Sequence, residues 1–345
     1  MDGIGLGLHA EPVDAELFEA LARAHPRLGL DGLLRRPGRR ARVSRPRAEA
    51  AAWGFRWPLL ESHTRRWWPQ GVDTRPDGSD ILVVSWFAQD RRGRSTGSRL
   101  TVVDLRDARR PRFHHVLLVE AVRGDDGRVQ MDPVLVHAGG LAWVGDRLYA
   151  AATFDGLVAF GLADILDTRA GGTRAGGRRP AAPFGARFVL PLSARLRATT
   201  PDAARSLRYS FVSVERGGTA ARPQLVVGEF GDEARGRRIA RVALAASSAP
   251  GDAAEVVEIA EPGIARMQGA CLIESTWFVS ASNGLRPGDL WVGNAAGWTR
   301  HPGVLPAGPE DLAASVDGST IWSLSEWPGA RWVFRIDPAG WAARR

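Results

Sequence analysis

The stretch HAGGLAWVGDRLYAAATFDGLVAF, at 137–160, shows the pattern that decides the fold. It holds a Gly-rich opening, a strand-like run that ends in Thr-Phe, and a further apolar run. The same three parts recur five times, always in this order, with loops of variable length between them. The openings lie at 70–72, 137–141, 209–211, 268–270 and 310–312. The second parts lie at 81–87, 147–154, 224–230, 277–283 and 320–327, and the third parts at 99–105, 156–162, 238–244, 289–294 and 331–337.

Short apolar runs separated by Gly, Asp and Pro turns are typical of an all-β repeat protein. Three further runs, at 114–122, 187–192 and 255–261, predict a fourth, outer strand in several repeats. Four strands per repeat, arranged radially, describe a blade of a β-propeller. We therefore predict an all-β, five-bladed β-propeller. The last repeat has no fourth strand of its own, and we expect 53–60 to supply it and close the ring, since closure leaves no long exposed edge.

The first 52 residues differ in kind from the repeats. Residues 14–24 place apolar side chains at helical spacing, with Asp14 positioned to cap the helix and Pro26 to end it. Seven arginines follow within 35–47, with no acidic residue among them. The sequence thus predicts a short helical and arginine-rich extension over 1–52 and one propeller domain over 53–340.

Composition limits the chemistry. The chain has 345 residues, 44% of them hydrophobic and 24% charged, which suits a protein with a large buried core. All 46 basic residues are arginines, because the sequence contains no lysine. Lysine-dependent chemistry, such as a Schiff base or a P-loop phosphate site, is excluded. The single cysteine, Cys271, allows no internal disulfide, and its apolar setting favours a buried core residue.

The net charge of +8 comes largely from two loop-like arginine runs, at 35–47 and 169–197. Nucleic-acid binding usually interleaves basic residues with aromatic ones, and neither run does so. We expect a small-molecule substrate rather than a nucleic acid or a membrane. The first residues lack the positive charge and the long apolar run of a secretory signal, which favours a cytoplasmic location.

Residues at equivalent positions of the repeats would meet at one mouth of the central channel, so we compare them as columns. The opening column contains Gln70, Tyr209, Gln268 and Glu310, with His137 close by. The column that ends the second strand contains Glu229 and Glu326. Carboxylates, histidine and tyrosine can transfer protons, so the predicted catalytic residues are Glu310, His137, Tyr209, Glu229 and Glu326. Each carboxylate could instead hold blades together through backbone N–H groups or arginine.

Other polar and aromatic residues of these columns are candidates for substrate binding. They are Gln70, Gln268, Trp86, Phe230, Trp327, Asn283 and Asp311. The glutamines could equally bond neighbouring blades, and the aromatic side chains could belong to the core between them.

No cofactor motif is evident, and there is no HExxH, EF-hand, Rossmann or P-loop pattern. A propeller can still assemble oxygen ligands from separate blades. Glu310, Glu229 and Asn283 would suit a hard cation such as Ca²⁺, which leaves the question of a metal open.

The repeats at 137–160, 267–284 and 305–337 resemble blades of β-propeller proteins from high-GC bacteria, over about residues 65 to 340. A more distant similarity is to the gluconolactonase and strictosidine-synthase-like propellers. That resemblance implies a divalent metal or a glutamate at the channel mouth, and Glu310 occupies the equivalent place here.

Two functions follow from these observations. The first is an enzyme that performs a hydrolytic, lyase-type or cyclisation step on a small organic molecule by carboxylate and histidine acid–base chemistry, for example in specialised metabolism. The second is a non-catalytic propeller that binds a ligand or a partner at the same mouth.

Overall fold

The computed structural model describes residues 6–169, 181–200, 206–217, 222–232, 236–245, 254–294 and 296–344. Strands dominate this part of the chain, and its α-helices are short. They are α1 (Ala15–Ala24), α2 (Gly29–Leu34), α3 (Leu59–His63) and α4 (Pro338–Ala342). The strands are, in chain order, β1 (Gly7–Pro12), β2 (Arg39–Arg40), β3 (Arg42–Val43), β4 (Trp53–Arg56), β5 (Trp67–Thr74), β6 (Ile81–Gln89), β7 (Ser95–Asp104), β8 (Arg112–Arg123), β9 (Val129–Pro133), β10 (Leu141–Val144), β11 (Arg147–Ala151), β12 (Gly156–Gly161), β13 (Leu166–Asp167), β14 (Phe188–Pro191), β15 (Ala194–Thr199), β16 (Phe211–Val214), β17 (Gln224–Gly228), β18 (Ile239–Ala243), β19 (Ala254–Ala260), β20 (Met267–Ile273), β21 (Thr276–Asn283), β22 (Arg286–Asn294), β23 (Gly297–Ala307), β24 (Pro309–Ala314), β25 (Ile321–Ser325) and β26 (Trp332–Ile336).

Most of these strands fall into five four-stranded antiparallel units. The units are β5-β6-β7-β8, β10-β11-β12-β15, β16-β17-β18-β19, β20-β21-β22-β23 and β24-β25-β26-β4. The first strands of the units contact one another in the cyclic order β5, β10, β16, β20, β24 and back to β5. A ring of such units around a shared axis is the architecture of a β-propeller. The chain is therefore all-β, with a propeller arrangement of its sheets.

The core lies between neighbouring units. Ile81 and Leu100 of the first unit meet Leu148 of the second in one buried apolar cluster. Four further clusters join the second unit to the third, the third to the fourth, the fourth to the fifth and the fifth to the first. Each unit is thus buried on both faces, which explains why β6 and β17 read as nearly continuous apolar runs rather than alternating ones.

Glycine allows the first strands to approach closely near the axis. A Cβ on Gly269 would lie 2.5 Å from Asp311 Cα, and one on Gly140 would lie 2.3 Å from the Val212 nitrogen. Hydroxyl groups also join neighbouring units near the axis. Ser85 Oγ donates to the Ala138 carbonyl at 2.7 Å, across two units. The narrow axis therefore depends on small residues at these positions.

The predicted closure of the ring by the N-terminal part is confirmed over Trp53–Arg56. Strand β4 pairs antiparallel with β26, and Phe55 lies opposite Val333. The rest of the predicted segment does not continue the strand, because it leads into α3. The predicted helix is also confirmed, since α1 is capped by Asp14, whose side chain accepts from the Glu16 and Leu17 N–H groups.

One predicted outer strand belongs to a different unit. Residues 188–191 form β14, which pairs in parallel with β8 of the first unit, and β15 takes the fourth position of the second. The reason is burial: all four residues of β14 are buried, whereas β15 alternates and suits an outer position. The sequence pattern did not predict the fourth strand β23 either.

The N-terminal extension is built into the sheets. Strand β1 pairs with both β15 and β19, and so joins the second and third units into one nine-stranded sheet. Strands β2 and β3 extend the sheets of the first and last units. Much of the second predicted arginine run, at 170–180, lies outside the described residues. No helix in the described part of the chain is long and apolar enough to cross a membrane.

Candidate functional site

A pocket of about 670 Å³ opens at the end of the ring where the first strands begin. Its wall receives residues from all five units. They are Gln70 on β5, the segment 135–139 before β10, the loop 152–155 between β11 and β12, Arg208, Ser210 and Phe230 of the third unit, Gln268 on β20, Glu310 on β24 and Glu326 after β25. The ring thus brings together residues that lie far apart in the sequence.

Glu310 lies in the floor of this pocket. It is 2% exposed, and Gln268 Nε2 donates to its Oε1 at 3.3 Å. Burial, followed by the nearby charges of Glu326 and Asp311, raises its pKa well above the ordinary value. The environment of Glu310 therefore favours the protonated form of its carboxyl group.

Glu326 enters the same pocket from the end of β25. Gln70 Nε2 donates to its Oε2 at 3.3 Å. Burial raises the pKa of Glu326 to about 7, against the opposing effects of the Gln70 hydrogen bond and the Arg331 charge. This value lies where a side chain can both accept and release a proton near neutral pH.

A buried arginine supports Glu326 from behind. Arg331 is 0% exposed, and its guanidinium donates to the backbone carbonyls of Glu326 at 2.6 Å and Glu61 at 2.7 Å. It also lies over the Trp68 ring at 5.3 Å. Because the guanidinium binds carbonyls rather than the Glu326 carboxylate, it fixes the backbone there and leaves the carboxylate to the pocket.

His137 forms part of the pocket wall beside the two glutamates. Its ring lies 4.3 Å from that of Phe87 and is tilted by 34°. Although His137 is exposed, desolvation by the surrounding protein lowers its pKa to about 4. The imidazole is therefore neutral at pH 7 and can donate or accept a hydrogen bond, but it does not carry charge.

Two aromatic side chains and an arginine form the rim. Phe154 is 72% exposed and Phe230 is 40% exposed, which is unusual for residues of this size. Arg208 lies with its guanidinium over the Phe154 ring at 5.2 Å and donates to the Phe230 carbonyl at 3.5 Å. The rim thus presents an apolar edge above a polar floor.

The backbone is strained beside the rim. Thr153 has φ +55°, a region that β-branched residues rarely adopt. Two backbone hydrogen bonds with Tyr209, of 2.9 and 2.8 Å, hold it there. The loop 152–155 that contains Thr153 lines the pocket.

Two predicted catalytic residues lie outside this wall. Arg238 binds the Glu229 carboxylate through two hydrogen bonds of 2.7 and 2.9 Å, and the N–H groups of Arg208 and Arg238 add two more. These contacts lower the pKa of Glu229 despite its burial. Tyr209 is 1% exposed and packs in the core between the second and third units, where burial raises its pKa to about 12.

Four predicted binding residues also lie elsewhere. Trp86 is fully buried among other aromatic rings, and Trp327 donates to the Gly284 carbonyl. Asn283 donates to Asp289 Oδ1 at 2.9 Å and lines a separate pocket of about 580 Å³. Asp311 is buried behind Glu310, where its Oδ2 accepts from the N–H groups of Val72 and Leu141 and so joins three first strands.

The structure does not bring the suggested calcium ligands together. Glu310 and Asn283 line different pockets, and Glu229 is bound by arginine. Within the described ranges, no group of three or more His, Cys, Asp or Glu side chains has a spacing that could hold a metal ion. Cys271 is fully buried, as the sequence predicts.

The site residues predicted from the sequence columns did not include several residues that line the pocket. Thr153 stands in the column that holds Glu326, and Phe154 stands in the next column with Phe230, so the repeat register contained both positions. Arg208 and Asp155 lie one position outside the columns, and only the folded loops reveal them. The predictions Gln70, His137, Phe230, Gln268, Glu310 and Glu326 all line the pocket.

No protein-family model matches the chain, and no curated protein matches it. Solved structures with similar folds include a glutaminyl cyclase from Myxococcus xanthus, with 14% identity over 87% of this chain and 97% of that one, and a TM-score of 0.38. A gluconolactonase from Xanthomonas campestris shows 16% identity over 88% and 90% of the two chains, with a TM-score of 0.39. A β-propeller domain from Myceliophteria thermophila shows 10% identity over 77% and 96%, with a TM-score of 0.38. Similarity this weak carries no inference about activity.

Proposed function

We propose that this protein is an enzyme that acts on a small organic molecule in the pocket at the channel mouth. One observation carries the proposal: two glutamates from neighbouring strands of the ring, Glu310 and Glu326, line one pocket, and each is held by a glutamine amide instead of an arginine. Glu229, by contrast, is bound by Arg238.

The proposed mechanism separates the roles of the two glutamates. Glu310 remains protonated and acts as the general acid, while Glu326 acts as the general base. Pairs of carboxyl groups whose environments give them different pKa values are a recurring arrangement in acid–base enzymes. Neutral His137 orients the substrate by a hydrogen bond, and Gln70 and Gln268 fix the two carboxyl groups. A hydrolytic, elimination or cyclisation step is compatible with this set of groups.

We further propose that the ring has five blades, one for each four-stranded unit. The cyclic contacts of the five first strands support this count, as does the presence of a buried apolar cluster at each of the five junctions between units. Each blade would contribute to the pocket wall.

The test combines a titration with turnover. Carbon-13 NMR of the labelled glutamate carboxyl groups should show one group, lost in Glu326→Gln, that titrates near pH 7. The wild-type protein is then assayed against a panel of small lactones, aryl esters and aryl glycosides. Glu326→Gln should reduce turnover of any accepted substrate by at least about 100-fold, in the range expected for loss of a general base.

The control is Glu274→Gln, which changes an exposed glutamate in the turn between β20 and β21. It should retain full turnover. If Glu326 titrates like an ordinary surface carboxylate, or if Glu310→Gln and Glu326→Gln both retain full turnover, the acid–base proposal is wrong. A pocket that binds small molecules but turns none over would favour the binding function instead.

A further inference from the structure

The pocket floor has an unusual charge arrangement for so arginine-rich a chain. Several other buried or half-buried carboxylates meet guanidinium groups: Glu229 binds Arg238, Glu215 binds Arg241, and Asp289 binds Arg300. In the described structure, neither Glu310 nor Glu326 has a cationic nitrogen within 4.0 Å of its carboxylate oxygens. The protein thus leaves one buried and one half-buried carboxyl group at one pocket without a partner of opposite charge.

The other charged groups around the pocket do not fill that role. Asp155 is bound by Arg197 at 2.7 Å. Arg208 lies over the exposed Phe154 ring at the rim, and Arg331 binds two backbone carbonyls behind Glu326. His137 is exposed, and desolvation by the surrounding protein keeps its pKa, at about 4, below neutral pH. A cation that entered the pocket would therefore be the direct partner of the two glutamates.

The rim adds a second recognition element. Phe154 and Phe230 both line the pocket and expose a large part of their rings. Aromatic faces attract organic cations and also pack against apolar groups. That Arg208 already lies over Phe154 shows that this ring accepts a cation on its face.

We propose that the pocket binds an organic monocation, namely a primary or secondary ammonium that carries an apolar group. The ammonium donates to Glu310 and Glu326 in the floor, and the apolar group contacts Phe154 and Phe230 at the rim. This proposal names the substrate class of the pocket and rests on the proposed function only in using the same two glutamates. A volume of about 670 Å³ is sufficient for a ligand of this kind.

Binding of such a cation should release protons. An ammonium favours the charged form of an adjacent carboxyl group, so Glu326, whose pKa is about 7, releases its proton to the solvent on binding, while Glu310 keeps its proton and accepts through its carbonyl oxygen. Besides each other, the two glutamates have three charged or titratable neighbours. These are Asp311 behind Glu310, Arg331 behind Glu326, and Arg208 at the rim. A neutral ligand of the same shape would release none.

The experiment compares three probes by isothermal titration calorimetry at pH 7, in buffers of different ionisation enthalpy. The probes are 2-phenylethylamine, the neutral isostere 2-phenylethanol and the anion 3-phenylpropionate. The amine should bind at least about tenfold more tightly than the alcohol, with net proton release, and the anion should bind most weakly. Glu326→Gln and Glu310→Gln should each weaken amine binding about tenfold or more, whereas Glu274→Gln should not change it.

Equal affinity for the amine and the alcohol would overturn this proposal, as would tighter binding of the anion. So would unchanged amine affinity in both glutamine variants. The absence of amine binding at about 10 mM, a concentration at which weak ligands still bind, would also overturn it. These results are independent of turnover. Amine binding by a protein that turns over no substrate would overturn the enzyme proposal alone. An active enzyme that binds the amine and the alcohol equally would overturn the ammonium-binding proposal alone.

Discussion

The third and fifth units place the same two residue types in the same register and use them differently. Glu229 follows the second strand of the third unit, and Arg238 precedes its third strand. Glu326 and Arg331 occupy the equivalent places in the fifth unit. In the third unit, the arginine binds the carboxylate twice and lowers its pKa. In the fifth, the arginine binds backbone carbonyls, and the pKa of the glutamate rises to about 7.

The difference arises from what lies beside each arginine. Helix α3 places the Glu61 carbonyl, and β5 places the Trp68 ring, against Arg331. Arg238 instead has the Glu229 carboxylate and the Ser206 carbonyl within reach. The contacts of the arginine with α3 and β5 therefore determine whether the glutamate is bound by the arginine or remains available to the pocket.

The largest expected effect follows from removal of the arginine in the third unit. Arg238→Met leaves the Glu229 carboxylate, which is 3% exposed, without its charged partner. Breaking a buried ion pair from one side typically costs about 3–5 kcal/mol of stability. Urea denaturation at pH 7 should show this loss. Glu326→Gln should cost less than about 1 kcal/mol in the same assay, since no ion pair is broken, and a similar loss in both variants would contradict the comparison.

The two glutamates should also give stability opposite dependences on pH. The pKa of Glu326 in the folded protein is about 7, above its ordinary value of 4.5, so its contribution is fully present below pH 4.5 and is lost as pH rises to 7. Comparison of wild type with Glu326→Gln should show a relative loss of about 2–3 kcal/mol over that interval. The contribution of Glu229 instead disappears as pH falls below 4.5, because its folded-state pKa is lowered. Denaturation curves at several pH values measure both, and parallel curves would contradict the assignment.

A substitution should convert the fifth unit to the behaviour of the third. Gln70→Arg replaces the amide that donates to Glu326 with a guanidinium. An adjacent opposite charge typically lowers a carboxyl pKa by about 1–3 units, so Glu326 should titrate near or below pH 6. Carbon-13 NMR of the carboxyl group measures this, and binding of 2-phenylethylamine should weaken in parallel. A pKa that stays near 7 would show that burial alone, and not the identity of the partner, sets it.

The smallest expected effect is the reverse change at the same position. Gln70→Leu removes the donor without adding charge, so the pKa of Glu326 should rise above about 7 by less than about one unit. The same NMR titration measures the shift. Opposite signs for Gln70→Leu and Gln70→Arg would establish that the Gln70 side chain, and not general disturbance of the site, sets the titration of Glu326.

Much of the fold could be predicted from the sequence because every unit repeats its apolar runs in one order. That periodicity indicated the strands and the closure by β4, whose aromatic residues match the apolar face of β26. It could not indicate that 188–191 crosses to the first unit. A fully buried run fits any interior position, and only packing selects between them.

The site could be predicted only as far as the columns extend. The repeat register correctly grouped Gln70, Gln268, Glu310 and Glu326, since equivalent positions converge in a ring. The register could not distinguish Glu229, which is bound by arginine, from Glu326, which lines the pocket, because both are followed by an arginine at the start of the next strand. Which acceptor each arginine takes depends on α3 and β5, which lie more than two hundred residues away in sequence from Arg331.

Strands β1 and β4 also determine when the molecule can be completed during synthesis. Each precedes its partner by a long stretch of sequence, since β1 pairs with residues 194–199 and β4 pairs with residues 332–335. Pairings this distant in sequence form slowly, and until then both strands expose unpaired backbone edges. The pairing of β4 with the last unit therefore waits until β26 has been synthesised, and a nascent chain that stalls before β26 would contain the first four units and still have an open ring.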